Sequence, residues 1–287
     1  MAKTMEYKNA IQPNWCPGCG DFGIQMAIQE AASKREIPFE RLALISGIGC
    51  SSRIGGYLYC YGAHTTHGRA LPFAQGVKLA NRDLEVVVCS GDGDAYAIGM
   101  GHTIHAIKRN IDLTYIVFDN QVYGLTKGQT SPRSSKGFVT KTTPEGNIEE
   151  PLAVTSMALA AGAGFVAQGY ARNRKELVDI IMRGMAHRGF SYINVFTPCV
   201  TYNKYNTYDW FKEHLTALAD RDGYDESDRL AAMHMLAETD GLVTGVIYED
   251  DKRSCYEEAI GLDDMPLVDS VRTPSAEFFD TLLAEFR

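Results

Sequence analysis

The sequence predicts an α/β fold: an open, mostly parallel sheet flanked by helices, with a C-terminal extension. Three observations carry this. Residues 85–130 read as one β-α-β unit, in which the apolar run Val86 to Cys89 leads to a helix-like segment from Asp94 to about Arg109 and then to a second apolar run, Leu113 to Phe118. Further strand-length apolar runs, Leu42 to Ser46, Phe165 to Gly169 and Tyr192 to Phe196, alternate with segments of helical character. Finally, polar residues follow the strands directly, with Ser90-Gly91-Asp92-Gly93 after one run and Asp119-Asn120 after the next. Ligands of open parallel sheets sit just beyond the carboxyl ends of the strands, so Asp92 and Asn120 should share one crevice.

The chain opens with the loop Cys16-Pro17-Gly18-Cys19-Gly20, whose Pro and Gly prevent regular structure and hold two sulfurs on one side. Such a C-x-x-C can hold zinc or an iron–sulfur cluster, or exchange disulfides. An exchange site usually opens a helix after a strand, and no strand precedes Cys16. Residues 21–35 have the pattern of an amphipathic helix. Leu42 to Ser46 is a short buried strand running into Gly47-Ile48-Gly49-Cys50-Ser51-Ser52-Arg53, a second glycine-rich, ligand-facing loop. In His64-Thr65-Thr66-His67-Gly68-Arg69 two histidines lie three apart without a third ligand, which suits hydrogen bonding to a phosphate or the backbone better than a metal. A helix over 71–81 leads back to the central unit.

The chemistry of that unit follows from its residue types. Gly91 and Gly93 leave room for a phosphate, and the helix opening near Asp94 offers free N–H groups and a positive dipole end. Asp92 would repel a phosphate directly. A hard cation between them turns repulsion into attraction, because Mg²⁺ takes carboxylate, amide and carbonyl oxygens together with phosphate oxygens. Asn120 supplies an amide oxygen and the backbone near Val122 a carbonyl, so a Mg²⁺-diphosphate is the expected ligand. A lone Gly-Asp-Gly is often only a turn; here it ends a strand, opens a helix and is followed by Asp-Asn at the next strand's end.

Downstream, residues 124–136 form a Gly-, Ser- and Pro-rich loop, and long loops inside compact domains are usually functional. A loop and an Ala-rich helix occupy 144–164, a second helix 174–188, and the last strand ends at Thr197-Pro198-Cys199. Cys50, Asp92, Asn120 and Cys199 thus fall on one edge of the sheet. After Tyr202 the chain becomes Tyr-rich and acidic without clear strand alternation. Residues 1–200 are therefore expected to form the cofactor-binding domain, and 201–287 an extension that covers the site or contacts a partner.

Composition narrows the class. The 287 residues are 45% hydrophobic and 22% charged, as in an ordinary globular protein, and the net charge of -8 argues against a nucleic-acid partner. No apolar stretch is long enough for a membrane span, and the N-terminus lacks a signal-peptide core, so a cytoplasmic location is expected. Of seven cysteines, Cys60, Cys89 and Cys255 have no companions, and Cys89 reads as core.

The GDG…N pattern resembles that of thiamine diphosphate enzymes. Taken in order, WCPGCGDFGI, GIGCSSR, HTTHGR, LPFAQGVKLAN, GDGDAYAIG, DNQVYGLTKGQTSP and TPC resemble the β subunits of the 2-oxoacid:ferredoxin oxidoreductases over about residues 9–202. The resemblance implies the diphosphate-binding half of a thiamine diphosphate site and a nearby 4Fe-4S cluster on Cys16, Cys19, Cys50 and Cys199. Asp92, Asn120 and Val122 would ligate Mg²⁺. Cofactor contacts are expected from Ile48, Gly49, Cys50, Ser51, His67, Gly68, Gly91, Gly93, Asp94, Tyr123, Gly124, Leu125 and Thr126. Arg53 would hold the substrate carboxylate, and Leu125 and Lys127 the distal end of the substrate.

The implied reaction is oxidative decarboxylation of a 2-oxoacid. Electrons leave singly through the cluster to ferredoxin, coenzyme A takes the acyl group, and the reverse direction fixes carbon dioxide. No segment resembles the domain that supplies the pyrimidine-activating glutamate, which implies a separate α subunit and an (αβ)₂ assembly. Two cationic groups, Arg53 and Lys127, favour 2-oxoglutarate over pyruvate or a broad range of 2-oxoacids. Two other classes compete: a cluster-free thiamine enzyme, and a non-catalytic, zinc-stapled scaffold subunit.

Overall fold

In the computed structural model of the chain, residues 4–262, 265–270 and 275–285 are described. The strands are β1 (Leu42–Ser46), β2 (Tyr61–His64), β3 (Glu85–Gly91), β4 (Leu113–Asp119), β5 (Phe165–Tyr170), β6 (Phe190–Phe196), β7 (Thr216–Ala217) and β8 (Val243–Glu249). They form one sheet in the order β2-β1-β3-β4-β6-β5-β8-β7. The six from β2 to β5 run parallel, β8 joins β5 antiparallel, and β7 lies parallel to β8. The open, mostly parallel sheet read from the sequence is the fold.

Burial alternates along the strands, as the two-residue period requires. Val86 and Val88 of β3 face one apolar layer, while Val87 and Cys89 face the other. Helices α1 (Asp21–Lys34), α2 (Ala70–Ala80), α3 (Met100–Arg109), α4 (Val154–Ala160) and α5 (Arg174–Ala186) cover both faces. Ile24, Ile28, Leu177 and Ile181 of α1 and α5 pack with the Val87 side, and Leu71, Ala74, Ala106 and Ile107 of α2 and α3 with the Val88 side. Every residue of β4 and β6 is buried, which is why these strands read as continuous apolar runs.

Strand order reverses at β1, whose successor β2 lies on one side and β3 on the other. The crevice at the carboxyl ends of β1 and β3 is therefore where such a sheet binds its ligand.

Three features differ from the sequence reading. The helix expected from Asp94 starts as a wide i→i+5 turn, Asp94–Ile98, and becomes regular only at Met100. Here the Thr103 hydroxyl donates to both Ala95 O (3.1 Å) and Gly99 O (3.3 Å), and such wide turns often mark functional sites. The edge strand β2 carries Tyr61, Gly62 and His64 exposed, so it lacks an apolar signature. The segment after residue 201 carries helices α6 (Tyr208–His214) and α7 (Arg229–Glu238) but also contributes β7 and β8 to the sheet. β8 is hard to read from the sequence because Gly245, at φ 125°, interrupts its alternation and the register against β5 shifts between Val166 and Ala167. Cys89 and Cys255 are fully buried. Among the described residues no helix is long and apolar enough to cross a membrane.

Candidate functional site

A cavity of about 460 Å³ opens beyond the carboxyl ends of β1, β3 and β4. Each strand exit contributes a wall: Ile48, Gly49, Cys50 and Ser51 after β1; Gly91, the last residue of β3, with Asp92, Gly93 and Asp94 after it; Asn120, Val122, Tyr123, Gly124, Leu125 and Thr126 after β4. His67 completes it. Of the residues expected at the cofactor only Gly68 does not line this cavity, and Gln129, which the sequence did not single out, does.

Asp94 explains the position of Gly68. Its buried Oδ1 accepts from Ile48 N (3.1 Å) and Gly68 N (2.7 Å), tying the β1 exit and the histidine loop to the β3 exit. Gly68 is buried with φ 70°, and its N–H is committed to Asp94. His67 Nδ1 lies 2.9 Å from the same oxygen, at ion-pair distance but off the line of a hydrogen bond. His64 instead contacts Ser46 Oγ through Nδ1 at 3.1 Å.

Asp92 is 1% exposed, and its Oδ2 accepts the Ser131 hydroxyl proton. Burial, reinforced by the charge of Asp119, pushes its carboxyl well above the ordinary carboxylate range. Ionisation at this site calls for a positive partner. Asn120 Oδ1 accepts from Val122 N at 3.1 Å, and Asn203 Nδ2 donates to Asn120 O at 3.1 Å, so the β4 exit is fixed beside Asp92. A buried carboxylate, an amide oxygen and a nearby backbone carbonyl are hard oxygen donors and fit Mg²⁺. Among the described residues no three His, Cys, Asp or Glu groups, the four cysteines included, are placed to hold a single metal ion by themselves. A diphosphate would have to complete the shell.

Gly93 has a use the sequence did not show. A Cβ there would lie 2.1 Å from the Tyr123 ring, whose hydroxyl donates to Gly93 O at 3.1 Å. The space beside Gly93 therefore seats an aromatic ring and locks the β4 exit onto the β3 exit.

The four cysteines Cys16, Cys19, Cys50 and Cys199 line a second cavity of about 100 Å³, together with Asp21 and Arg53. Cys50, Asn120, Gly124 and Leu125 belong to both cavities. Three loops meet here for local reasons. Cys19 N donates to Cys16 O (3.0 Å) in a turn with Gly18 at φ 83°, and Trp15 Nε1 donates to Cys50 O (2.7 Å). Gly20 N donates to Pro198 O at 3.4 Å, an approach only glycine permits, since a Cβ would lie 2.2 Å from Thr197 Oγ1.

Burial, with Asp21 and the neighbouring thiols adding to it, raises the Cys50 pKa to about 11 and the Cys19 pKa further still. The thiolates of Cys19 and Cys50 are thus unfavourable here without a cationic centre. Four cysteines around one cavity are the number of thiolates that a 4Fe-4S cluster takes. Asp21, fully buried and raised to about 7 chiefly by desolvation, accepts from Thr197 Oγ1 at 3.3 Å and joins the first and third loops.

The expected substrate contacts separate. Arg53 is exposed at the cysteine cavity, its Nε donating to Tyr57 Oη (3.0 Å), which in turn donates to Asn14 Oδ1 (2.6 Å). Leu125 is half exposed and lines both cavities. Lys127, left-handed at φ 75°, is exposed at the loop tip and lines neither.

The same architecture and sequence recur in known proteins. The family described as thiamine pyrophosphate enzyme, C-terminal TPP binding domain, matches residues 47–195, and the family of the C-terminal part of the pyruvate ferredoxin oxidoreductase beta subunit matches 199–262. A 2-oxoacid:ferredoxin oxidoreductase subunit beta of Saccharolobus solfataricus is 41% identical over 259 residues, which cover 86% of this chain and 85% of that one. The 2-oxoglutarate synthase subunit KorB of Archaeoglobus fulgidus is 47% identical over 198 residues, 69% of this chain and 74% of the relative. Among solved structures, a 2-oxoglutarate:ferredoxin oxidoreductase from Magnetococcus marinus with 2-oxoglutarate, coenzyme A and succinyl-CoA bound superposes with a TM-score of 0.89 at 35% identity, covering 100% of this chain and 96% of that chain.

Proposed function

The chain belongs to the β subunits of the 2-oxoacid:ferredoxin oxidoreductases, and from that membership we propose that, with an α subunit, it oxidatively decarboxylates 2-oxoglutarate to succinyl-CoA and passes electrons through a 4Fe-4S cluster to ferredoxin. The reverse direction fixes carbon dioxide. The observation that carries this reading is the adjacency of the two cavities, whose linings share Cys50, Asn120, Gly124 and Leu125, so that only a thin layer of protein would part a diphosphate cofactor from a cluster.

Bound thiamine diphosphate supplies the carbon nucleophile and electron sink, and the cluster a one-electron outlet. The chain's own residues bind and orient. Asp92, Asn120 and the Val122 carbonyl hold Mg²⁺, and through it the diphosphate, while Ser51 and His67 bond its oxygens. Cys16, Cys19, Cys50 and Cys199 hold the cluster. Arg53 takes the substrate carboxylate in a bidentate grip, and Leu125 and Lys127 meet the distal end. Residues 1–200 carry these groups, and 201–287 complete the sheet and contribute Asn203 behind Asn120. The pyrimidine-activating glutamate belongs to the α subunit, in an (αβ)₂ assembly working in the cytoplasm.

The choice of 2-oxoglutarate is supported by the KorB relatives and the 2-oxoglutarate-bound neighbour. A broader specificity has one support, the relatives named for 2-oxoacids in general. A panel of 2-oxoacids on the anaerobically reconstituted αβ complex tests the choice. Turnover of 2-oxoglutarate well above that of pyruvate is expected; pyruvate preference would reject it. The chain without its α subunit should show no oxidoreductase activity, and substantial activity from it alone would reject the division of labour.

A further inference from the structure

We propose that the turn 131–134 is the positioning element of the cation site, in which the Ser131 hydroxyl sets the orientation of the Asp92 carboxylate while Ser134 and Arg133 hold the β4 exit in register with it. This rests on the reading of Asp92 and Asn120 as cation ligands. The turn is anchored at both strand ends. Ser131 Oγ donates to Asp92 Oδ2, Ser134 Oγ donates to Gln121 O at 2.6 Å, and Arg133 Nε donates to Asp119 Oδ2 at 2.9 Å. Asp119 and Gln121 flank Asn120. One short turn thus reaches both ligand-bearing strand exits.

Its internal bonds fix the direction of each proton. Arg133 N donates to Ser131 Oγ at 3.2 Å, so that hydroxyl is an acceptor there and its own proton is directed to Asp92. Ser131 N donates to Ser134 Oγ (2.9 Å) and Ser134 N to Ser131 O (3.0 Å), closing the turn on itself. Asn147 Nδ2 donates to Ser134 O at 3.0 Å, and the Arg133 guanidinium also reaches Leu152 O, which fastens the turn to the loop behind it. Ser131 and Ser134 are 7% and 1% exposed, so water cannot readily replace these bonds.

Charge points the same way. The buried carboxylates of Asp92 and Asp119 face the single guanidinium of Arg133, which bonds Asp119 and leaves Asp92 with the hydroxyl. Asp119 Oδ2 also accepts from Asn194 Nδ2 at 3.0 Å, so that oxygen is tied down twice. Asp92 is the one turned to the cavity, held by a neutral donor and in need of a cation. A partner that orients a metal ligand in this way typically contributes about 10–100-fold to metal affinity.

The test is a Mg²⁺ titration of the αβ complex, stripped of divalent ions and saturated with thiamine diphosphate, followed by calorimetry. Ser131→Ala is expected to weaken Mg²⁺ about tenfold or more and to alter the preference for Mg²⁺ over Mn²⁺, whereas Ser131→Thr, which keeps the hydroxyl, binds near the wild-type level. A merely structural loss would lower the melting temperature without changing metal preference. Should Ser131→Ala not fold, Ser134→Ala carries the test, with weakening in the same direction. Wild-type affinity and metal preference in the folded serine-to-alanine variants, with binding abolished in Asp92→Ala, would overturn the positioning role alone. Wild-type affinity in Asp92→Ala would overturn the reading of the cation site itself.

Discussion

Cys50 and Cys199, carried by loops after β1 and β6, bring their sulfurs to the same spot beside Gly124: a Cβ on that glycine would meet Cys50 Sγ at 3.4 Å and Cys199 Sγ at 3.9 Å. Gly124 also lines the diphosphate cavity, so the thin wall between the two cavities is a glycine backbone. A single methyl fits there at ordinary contact distance; a branched side chain does not. Gly124→Ala should retain the cluster and Gly124→Val should lose most of it, as measured by iron and sulfide content after anaerobic purification. Full iron in the valine variant would show that the sulfurs have room to spare.

Gly93 and Tyr123 make a second such pair. Because the ring occupies the place of the missing Cβ, Gly93→Ala must displace it, at a cost of about 1–3 kcal/mol for an overpacked site. The denaturation midpoint of the αβ complex should fall, and truncating the ring in Gly93→Ala/Tyr123→Ala should recover part of the steric loss. An unchanged midpoint in the single variant would contradict the packing.

Stability should depend on pH through Glu85. Burial raises its carboxyl to about 7, with Lys78 and Arg35 opposing and Asp112 adding to the rise. A folded-state pKa above the unfolded one favours the fold at low pH, and that advantage is lost as pH climbs from about 4.5 to about 7. Glu85→Gln should therefore be more stable than wild type at pH 8 by about 2 kcal/mol, allowing for partial exposure, with the difference vanishing toward pH 5. Chemical denaturation at the two pH values checks this.

Arg53 and Lys127 should divide substrate recognition. Arg53→Ala is expected to raise KM for every 2-oxoacid, since all share the carboxylate. Lys127→Ala should raise KM for 2-oxoglutarate selectively, roughly tenfold if one exposed charge pair is lost, and leave pyruvate nearly unaffected. Equal effects on both substrates would remove Lys127 from specificity.

Much of this is legible in the sequence because the parallel strands are short, apolar and followed directly by polar residues. Val86 to Cys89 and Leu113 to Phe118 announce β3 and β4, and Asp92 and Asn120 must then emerge side by side. What the sequence hides is what depends on tertiary contact. Gln129, Ser131 and Arg133 lie in a Gly-, Ser- and Pro-rich loop whose composition signals only irregular structure; nothing local indicates that Ser131 folds back on Asp92. Gly68, expected among the cofactor contacts, has its amide committed to Asp94, and β8 is masked by Gly245 and by the bulge at Ile247.

The most direct test of the central claim, a diphosphate cofactor and an iron–sulfur cluster in adjoining cavities, is a joint assay of iron, acid-labile sulfide, zinc and thiamine diphosphate on the anaerobically purified αβ complex. About four iron and four sulfide per β chain, with one thiamine diphosphate and little zinc, is the expected result. Zinc in place of iron, with no thiamine diphosphate retained, would contradict it.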